Sequence, residues 1–369
     1  MIKVLWMAPT FNHYKARFLS RLSSEELSLT VLAGSGRGIK DGDKEIESEK
    51  WSFLLERVNI PKEKFGNSSI VRMKLKKEFK NFNWVLLPAE KKNLPLLLYC
   101  LILKRRYKHV KLFSYNHPVF KSKGGKVTLL DKILTKFFFN RLDRVIFYTE
   151  ESCKWAIENK FINPKKAFWA NNTIDTQEIT RVYNFQLPNE NEPRILFIGR
   201  LIPSKKLDVL FEYYSHLSAL FKSKGKCLKL DIIGDGPEAK LVQEKIEKDE
   251  KIRWHGALVN EDKISEIIKN CSLVFVPGHS GLSINHAFAY GRPYITLESI
   301  DHAPEISYLQ HGKNGWILSE DQNQNVRTIA DLLLDREKLQ SFCRNAERTG
   351  NFLSVENWRS QFSRALMHA

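Results

Sequence analysis

Short apolar runs alternate along the chain with segments whose apolar residues recur every three or four positions. Apolar runs that end in polar residues or glycine predict buried strands, and the longer spacing predicts helices. Near the start, Ala16, Leu19 and Leu22 form one helical stripe between strand-like segments at 3–9 and 27–34. The repeated alternation predicts an α/β fold with parallel sheets that carry helices on both faces.

The strand-like runs form two series, separated by the polar segment QLPNENEP at residues 186–193. Two such series predict two doubly wound, Rossmann-like domains that face a central cleft. The predicted boundaries are 1–185 for the N-terminal domain, 186–193 for a linker and 194–350 for the C-terminal domain. A C-terminal helix is predicted within 351–369, with Ser354 as its cap and a position against the first domain.

The net charge of +17 is unevenly distributed along the chain. All of the excess falls within residues 1–175, because acidic and basic residues are equal in number in the remainder. Much of it lies in three clusters, at Arg72–Lys80, Lys104–Lys111 and Lys121–Lys126. This concentration predicts that the first domain meets an anionic partner; a solvated basic surface without a partner is the alternative.

Apolar segments and cysteines indicate the compartment. The apolar start of the chain is too short for a secretory signal, and the longest apolar run, Leu94–Leu103, has half the length of a membrane span. The five cysteines are scattered and lack the spacing of zinc ligands, so neither a disulfide framework nor a zinc site is expected. These features predict a cytoplasmic protein.

Three glycine-containing turns follow strand-like runs in the second series. Gly199 ends the first run and is followed by Arg200 and Lys205, a second turn contains Gly234 and Gly236, and a third begins the segment 278–291. In doubly wound folds the carboxyl ends of the strands form the ligand crevice. Two fixed cations and a turn that opens a short helix suit a diphosphate, with Gly281, Leu282 and Ser283 contributing backbone amides.

The blocks FIGRLIPSKKLDVLFE, DIIGDGP, WHGALVNEDKISEIIKNCSLVFVPG, INHAFAYGRPYIT and APEISYLQHGKNGWIL resemble the donor-domain blocks of retaining glycosyltransferases of family 4. Their order and spacing match over residues 194–318, and the first half is similar more loosely. The resemblance implies a GT-B fold, a nucleotide diphosphate sugar as donor on the second domain, and an acceptor on the first. It also implies that Arg200 and Lys205 bind the diphosphate and stabilise the leaving group.

The chain departs from this family at two positions. Many members carry two glutamates in the turn and helix of the third block, and the matching residues here are Gly278 and His286. The chain is therefore identified as a divergent member without the usual pair of glutamates. His286 is predicted to contact the sugar or ribose of the donor, and a packed structural histidine is the alternative.

Three residues of the first half are assigned to the site. His117 follows a strand-like run at the place where family members often have a histidine near the transferred sugar, so it joins the predicted catalytic residues; a packed turn histidine is the alternative. His13 and Tyr14 lie in the first predicted loop between strand and helix. We expect them to contact the acceptor.

These observations predict a retaining glycosyltransferase that transfers a sugar to a glycan acceptor. The basic first domain favours a lipid-linked oligosaccharide or a lipopolysaccharide or capsule precursor, such as O-antigen, with the enzyme bound peripherally to the inner face of an anionic membrane. The alternatives are a GT-B enzyme that acts on nucleic acid and a catalytically impaired protein that binds sugar nucleotides. Nucleic acid is not expected, because the basic clusters are interleaved with aliphatic residues.

Neither a cofactor nor a metal is expected. Asp41 and Asp43 form an acidic pair with the spacing of a metal site, but they lie in a charged segment away from any strand end.

Overall fold

A computed structural model of the protein describes residues 1–11, 13–35, 51–121, 126–189 and 191–367, with the backbone alone for residues 13 and 14. The strands are β1 Ile2–Ala8, β2 Leu27–Ala33, β3 Leu54–Arg57, β4 Trp84–Leu86, β5 Lys111–Asn116, β6 Arg144–Phe147, β7 Ala167–Trp169, β8 Arg194–Ile198, β9 Lys229–Ile233, β10 Ile252–Trp254, β11 Leu273–Phe275, β12 Tyr294–Leu297 and β13 Gly315–Leu318.

The α-helices occupy the intervals between these strands and the end of the chain. They are α1 His13–Ser20, α2 Ser69–Glu78, α3 Leu94–Arg106, α4 Leu129–Arg141, α5 Glu150–Glu158, α6 Thr176–Val182, α7 Leu207–Ser223, α8 Ala239–Ile246, α9 Glu261–Ile268, α10 Ser283–Ala289, α11 Gln322–Leu334, α12 Arg336–Phe352 and α13 Val355–Met367.

The described strands form two parallel sheets, as the sequence predicts. The first has the order β3-β2-β1-β4-β5-β6-β7, and the second has the order β10-β9-β8-β11-β12-β13. In both sheets the strand order reverses beside the first strand, which is the doubly wound arrangement. The fold is therefore two Rossmann-like α/β units.

The first sheet is buried on both faces. Along β1, Leu5 and Met7 enter the core on one side, whereas Val4, Trp6 and Ala8 enter the core on the other. Because side chains alternate across a strand, a sheet covered on both faces requires the nearly continuous apolar runs seen in the sequence. The strand-like runs of the sequence correspond to ten of the described strands. They do not include β3 and β7, which lie at the edges of this sheet, or β13, which lies at an edge of the second.

The C-terminal helix α13 completes one of these two cores. Trp358 is fully buried, its ring centroid lies 4.8 Å from that of Phe18, and its Nε1 donates to the Tyr115 hydroxyl at 3.2 Å. Contacts therefore group α13 with the first unit, as expected for a helix that packs back on the first domain. The capping position of Ser354 also agrees, since α13 begins at Val355.

The division between the units falls between Asn172 and Thr173, before the polar segment that the sequence analysis takes as the linker. The segment that follows belongs to the second unit because Ile179 and Tyr183 pack into its core. The buried guanidinium of Arg292 also donates to the Tyr183 hydroxyl at 3.2 Å and to the carbonyl of Gln186 at 3.0 Å. The polar segment is thus anchored at its start to the second unit.

Membrane-spanning elements were searched for among the described residues. None of the helices there combines the length and the apolar character needed to cross a bilayer.

Candidate functional site

Three turns at the carboxyl ends of β8, β9 and β11 are joined by backbone hydrogen bonds. The amide of Leu201 donates to Asp235 at 2.9 Å, which links the first turn to the second. The amides of Gly278 and His279 donate to the carbonyls of Lys205 and Ser204 at 3.1 and 2.7 Å, which links the third turn to the first. The three turns predicted from the sequence therefore form one connected edge of the second sheet.

Glycine is required where these turns touch. A Cβ atom on Gly234 would lie 1.8 Å from the carbonyl oxygen of Gly199, and one on Gly278 would lie 2.1 Å from that of Ser204. Both distances are far shorter than a van der Waals contact, and the obstacles are backbone atoms. The resemblance described above implies a glutamate at the position of Gly278, but this backbone leaves no room for any side chain there.

Lys205 is held at the centre of this edge. It ends a 3₁₀ turn at Pro203–Lys205, it is buried, and its Nζ donates to the carbonyl oxygen of His279 at 2.6 Å. Burial, with a smaller contribution from the positive charge of Arg200, lowers the pKa of Lys205 to about 8. Since a buried ammonium is costly without a full set of partners, this site is electrostatically suited to an anion.

Arg200 and Gly199 lie next to Lys205 in the same turn. A Cβ on Gly199 would lie 3.5 Å from Cε of Lys205, so the lysine side chain passes directly over this glycine. Arg200 is half-buried and close enough to affect the pKa of Lys205. The structure thus brings together the two cations that the sequence assigns to the diphosphate.

The third turn is fixed by hydroxyl groups and a histidine. The Tyr294 hydroxyl lies 2.8 Å from Ser283 Oγ and donates to Ser280 Oγ at 3.0 Å. The amide of Ser280 donates to Nδ1 of His302 at 3.1 Å, so Nε2 of that ring carries the hydrogen and donates to Leu297 at 2.8 Å. These bonds fix the turn that contains Gly281 and Leu282, just before α10.

His286 is packed in α10 against residues from elsewhere in the second unit. Its Nε2 lies 3.1 Å from Oε2 of Glu261, and the Tyr290 hydroxyl donates to the same oxygen at 2.8 Å. All three side chains are buried. A carboxylate is thus present beside this position, but it is supplied by the first turn of α9, and it faces the imidazole.

We expect replacement of His286 by alanine to lower the free energy of unfolding of the second unit by about 1–3 kcal/mol, because a buried carboxylate loses one of its hydrogen-bonding partners. His286→Gln should retain most of the stability, since its amide can donate to Glu261. Urea unfolding and the Michaelis constant for the donor are measured together. Unchanged stability with a raised Michaelis constant would instead place the imidazole on the donor.

A glutamate at this position meets a different environment from the one that the family pattern suggests. Because Glu261 already occupies the buried space beside residue 286, His286→Glu would bring two carboxylates together, and like charges in a buried site repel. Glu261 and Tyr290 are not among the site residues predicted from the sequence. The signal for Glu261 was its place just after the helix cap Asn260, but nothing local links it to a residue in another helix.

The predicted residues of the first unit lie near the carboxyl ends of its strands. His117 directly follows β5, is exposed, and has its ring edge against the ring of Tyr148, with centroids 5.0 Å apart. His13 and Tyr14 begin α1, immediately after the turn that follows β1, and their side chains lie outside the described part of the chain. Their predicted contact with the acceptor stays a prediction.

Metal ligands were searched for in the described residues, and no group of three or more histidine, cysteine, aspartate or glutamate side chains is arranged there to hold a metal ion. The acidic pair Asp41 and Asp43 lies outside the described residues.

Comparison with known proteins finds a family model that matches much of the second unit. Residues 180–349 match the sequence model described as "Glycosyl transferases group 1". A curated protein, the poly(ribitol-phosphate) alpha-N-acetylglucosaminyltransferase of Staphylococcus aureus (strain COL), is 24% identical over 199 residues. The aligned part is 53% of this chain but covers only 37% of the length of that protein.

Solved structures resemble the chain over its whole length. Anabaena HepE in complex with UDP is similar with a TM-score of 0.72 at 14% identity, covering 100% of both chains. Sucrose-phosphate synthase from Thermosynechococcus elongatus has a TM-score of 0.69 at 12% identity, covering 99% of this chain and 98% of its own. A TarM variant of S. aureus, crystallised with fondaparinux, alpha-GlcNAc-glycerol and UDP, has a TM-score of 0.63 at 13% identity, covering 100% of both. These likenesses establish the fold as GT-B.

Proposed function

We propose that this chain is a GT-B glycosyltransferase that transfers a sugar from a nucleotide diphosphate sugar to a glycan acceptor. The observation that carries the proposal is the buried Lys205 at the meeting point of three glycine turns, beside Arg200. A site that keeps a desolvated cation next to a second cation favours a diphosphate. The match of residues 180–349 to the glycosyltransferase family model supports the same reading.

The chemistry that this site suits is departure of a nucleotide diphosphate. As the bond between the sugar and the diphosphate breaks, negative charge develops on the phosphate oxygen and positive character develops on the sugar. Lys205 and Arg200, fixed before the reaction, stabilise that oxygen more strongly in the transition state than in the bound donor. We propose that the anomeric configuration is retained, as the resemblance implies, with His117 beside the transferred sugar.

The donor is tested by screening sugar nucleotides for a rise in the unfolding temperature. Because the HepE and TarM structures contain UDP, UDP-sugars are screened first, followed by GDP- and dTDP-sugars. Any sugar nucleotide that stabilises the protein is then incubated with the enzyme and a soluble acceptor. The anomeric configuration of the product is determined by NMR. A complete set of sugar nucleotides without any stabilisation would contradict the proposed donor site.

We propose a lipid-linked oligosaccharide or a lipopolysaccharide or capsule precursor as the acceptor, at the inner face of an anionic membrane. The similarity to the poly(ribitol-phosphate) enzyme favours a second acceptor, a polyol phosphate polymer. Both are anionic and so are complementary to the positive charge of the first unit. Parallel transfer assays with the lipid-linked glycan and with poly(ribitol phosphate) separate the two.

Transfer is expected to proceed without a divalent metal, because two side-chain cations already lie where the leaving diphosphate would otherwise need a metal ion. Activity should therefore be unchanged in excess EDTA. The measurement compares initial rates in EDTA with rates after addition of magnesium or manganese. A complete loss that either ion restores would contradict this part of the proposal.

A further inference from the structure

The outer side of α4 carries an unusual row of exposed apolar side chains. Leu129, Leu130 and Ile133 are 74%, 60% and 56% exposed, and Phe137 continues the row at 38%. The opposite side of the helix is the buried one, where Phe138 and Phe139 pack into the core of the first unit.

Two neighbouring helices present the same kind of surface. Exposed apolar pairs lie at helical spacing on α3, at Leu98 and Ile102, and on α2, at Ile70 and Met73. The buried sides of α2, α3 and α4 all contribute to one apolar cluster on one face of the first sheet. Their exposed sides therefore point outward from the same face of that sheet.

The three helices are tied to one another. The Tyr99 hydroxyl on α3 donates to the carbonyl of Arg72 on α2 at 3.2 Å. Lys104 on α3 donates to Asp143, just after α4, at 2.6 Å, and Lys91, just before α3, forms an ion pair with Asp131 on α4. The outer sides of α2, α3 and α4, which we call the helical face, are thus held together within one unit.

Basic side chains accompany the apolar ones. Exposed cations on the helical face include Lys132, Lys136 and Arg141 on α4, Arg105 and Arg106 on α3, and Lys76 and Lys77 on α2. Helix α3 contains no acidic residue, and the single acidic residue of α4, Asp131, is buried. The described part of this face therefore combines aliphatic side chains with net positive charge.

We propose that the helical face docks on an anionic lipid bilayer, with its aliphatic side chains in the headgroup region and its lysines and arginines against lipid phosphates. Helices that lie in a membrane interface combine apolar and basic side chains in this way. Duplex nucleic acid fits less well, because bases stack on aromatic rings and the exposed apolar side chains are mostly aliphatic. The single aromatic ring among those described, Phe137, lies under the guanidinium of Arg141, whose Cζ is 5.1 Å from the ring centroid.

Docking through the helical face would bring the enzyme to a lipid-linked acceptor. The biological role of this surface therefore rests on the proposed function. Binding itself is measured without donor or acceptor. The full-length protein is sedimented with vesicles of phosphatidylcholine alone or mixed with phosphatidylglycerol, at low and high salt. We expect binding to the mixed vesicles and its loss at high salt.

Two sets of substitutions locate the binding surface. L129S/L130S/I133S should lower the partition coefficient about tenfold or more, whereas the matched set L54S/I300S/F352S, at exposed apolar positions elsewhere, should leave it unchanged. K132Q/K136Q should lower it roughly 25-fold at low salt, and K222Q/K224Q, on exposed lysines of the second unit, should not. Unfolding curves verify that each variant is folded.

Absence of vesicle binding, equal losses in the matched controls, or equal binding to neutral vesicles would overturn the docking surface. Displacement of the protein from vesicles by duplex DNA, together with vesicle binding that L129S/L130S/I133S leaves intact, would favour nucleic acid instead. Stabilisation by a sugar nucleotide is recorded in parallel for each variant. A protein that binds its donor but no vesicle refutes the docking surface alone, and one that binds vesicles but no donor refutes the proposed function alone.

Discussion

Replacement of Lys205 by alanine is expected to lower kcat/KM for sugar transfer by about a hundredfold or more, because one preorganised contact to the leaving group typically contributes about 3 kcal/mol to transition-state stabilisation. Arg200→Ala should have an effect of the same order. Lys206→Ala removes a charge from an exposed side chain of the same turn and should change the rate only slightly. Near-normal turnover in both Lys205→Ala and Arg200→Ala would refute the site.

A pH profile tests the role proposed for Lys205. Its pKa of about 8 in the folded protein lies below the ordinary value of 10.5, so the cation that we propose binds the diphosphate is lost as the pH rises through 8. In the free enzyme kcat/KM should therefore fall about tenfold per pH unit above that point. Lys205→Arg, which remains charged, should lack this descending limb even though its activity is lower. If kcat/KM still decreases above pH 8 in Lys205→Arg, the decrease is caused by the titration of another group.

Replacement of Trp358 by alanine is expected to lower the free energy of unfolding of the first unit by about 3–5 kcal/mol. The indole is fully buried against Phe18 and donates to the Tyr115 hydroxyl, so the change removes both packing and a hydrogen bond. Because the two units can unfold separately, near-ultraviolet circular dichroism is recorded during urea unfolding, and each transition is fitted by itself.

Trp155→Ala is the matched control for Trp358, because that indole is 39% exposed and only stacks on Phe161, with ring centroids 5.4 Å apart. We expect Trp155→Ala to lower the free energy of unfolding much less than Trp358→Ala does. Equal losses in the two variants would show that α13 does not contribute to the core as the structure indicates.

Much of the fold follows from the sequence because strands buried on both faces leave a continuous apolar signal. β1 and β6 are found in this way. The edge strand β3 gives no such signal, since Leu54 is exposed and Glu56 is half-buried. β7 gives no such signal either, because none of its three residues is fully buried. β13 begins at Gly315 and offers only three apolar residues after it.

The boundary between the units was placed too late because polarity was taken as its signal. The QLPNENEP segment is polar, but the residues before it are held by the buried guanidinium of Arg292, which lies more than a hundred positions further along the chain. A long-range hydrogen bond of this kind leaves no local pattern. The physical boundary is set by which core Ile174 and Ile179 enter.

The candidate site, too, could be predicted only where it depends on a local sequence pattern. Lys205 and the glycines could be found because a strand followed by a glycine turn is a local pattern, and the ends of parallel strands meet at one edge. The pairing of His286 with Glu261 could not, since it depends on how α9 packs against α10. The need for glycine at position 278 also could not be predicted, because it arises from the backbone of Ser204, which lies beside it only in the folded protein.

The position of α13 has a consequence for synthesis of the protein on the ribosome. The strands of the first unit are translated before the second unit, but the helix that covers Trp6 and Tyr115 is translated after it. At ordinary elongation rates, roughly 10 to 40 seconds separate the end of the first segment from α13. During that interval the second unit acquires its segments, while the part of the first sheet that α13 covers stays exposed even though α1 packs on the same face. We therefore expect the second unit to complete its folding before the first. We also expect chaperones to bind the nascent chain at the apolar surface of the first sheet that α13 later covers.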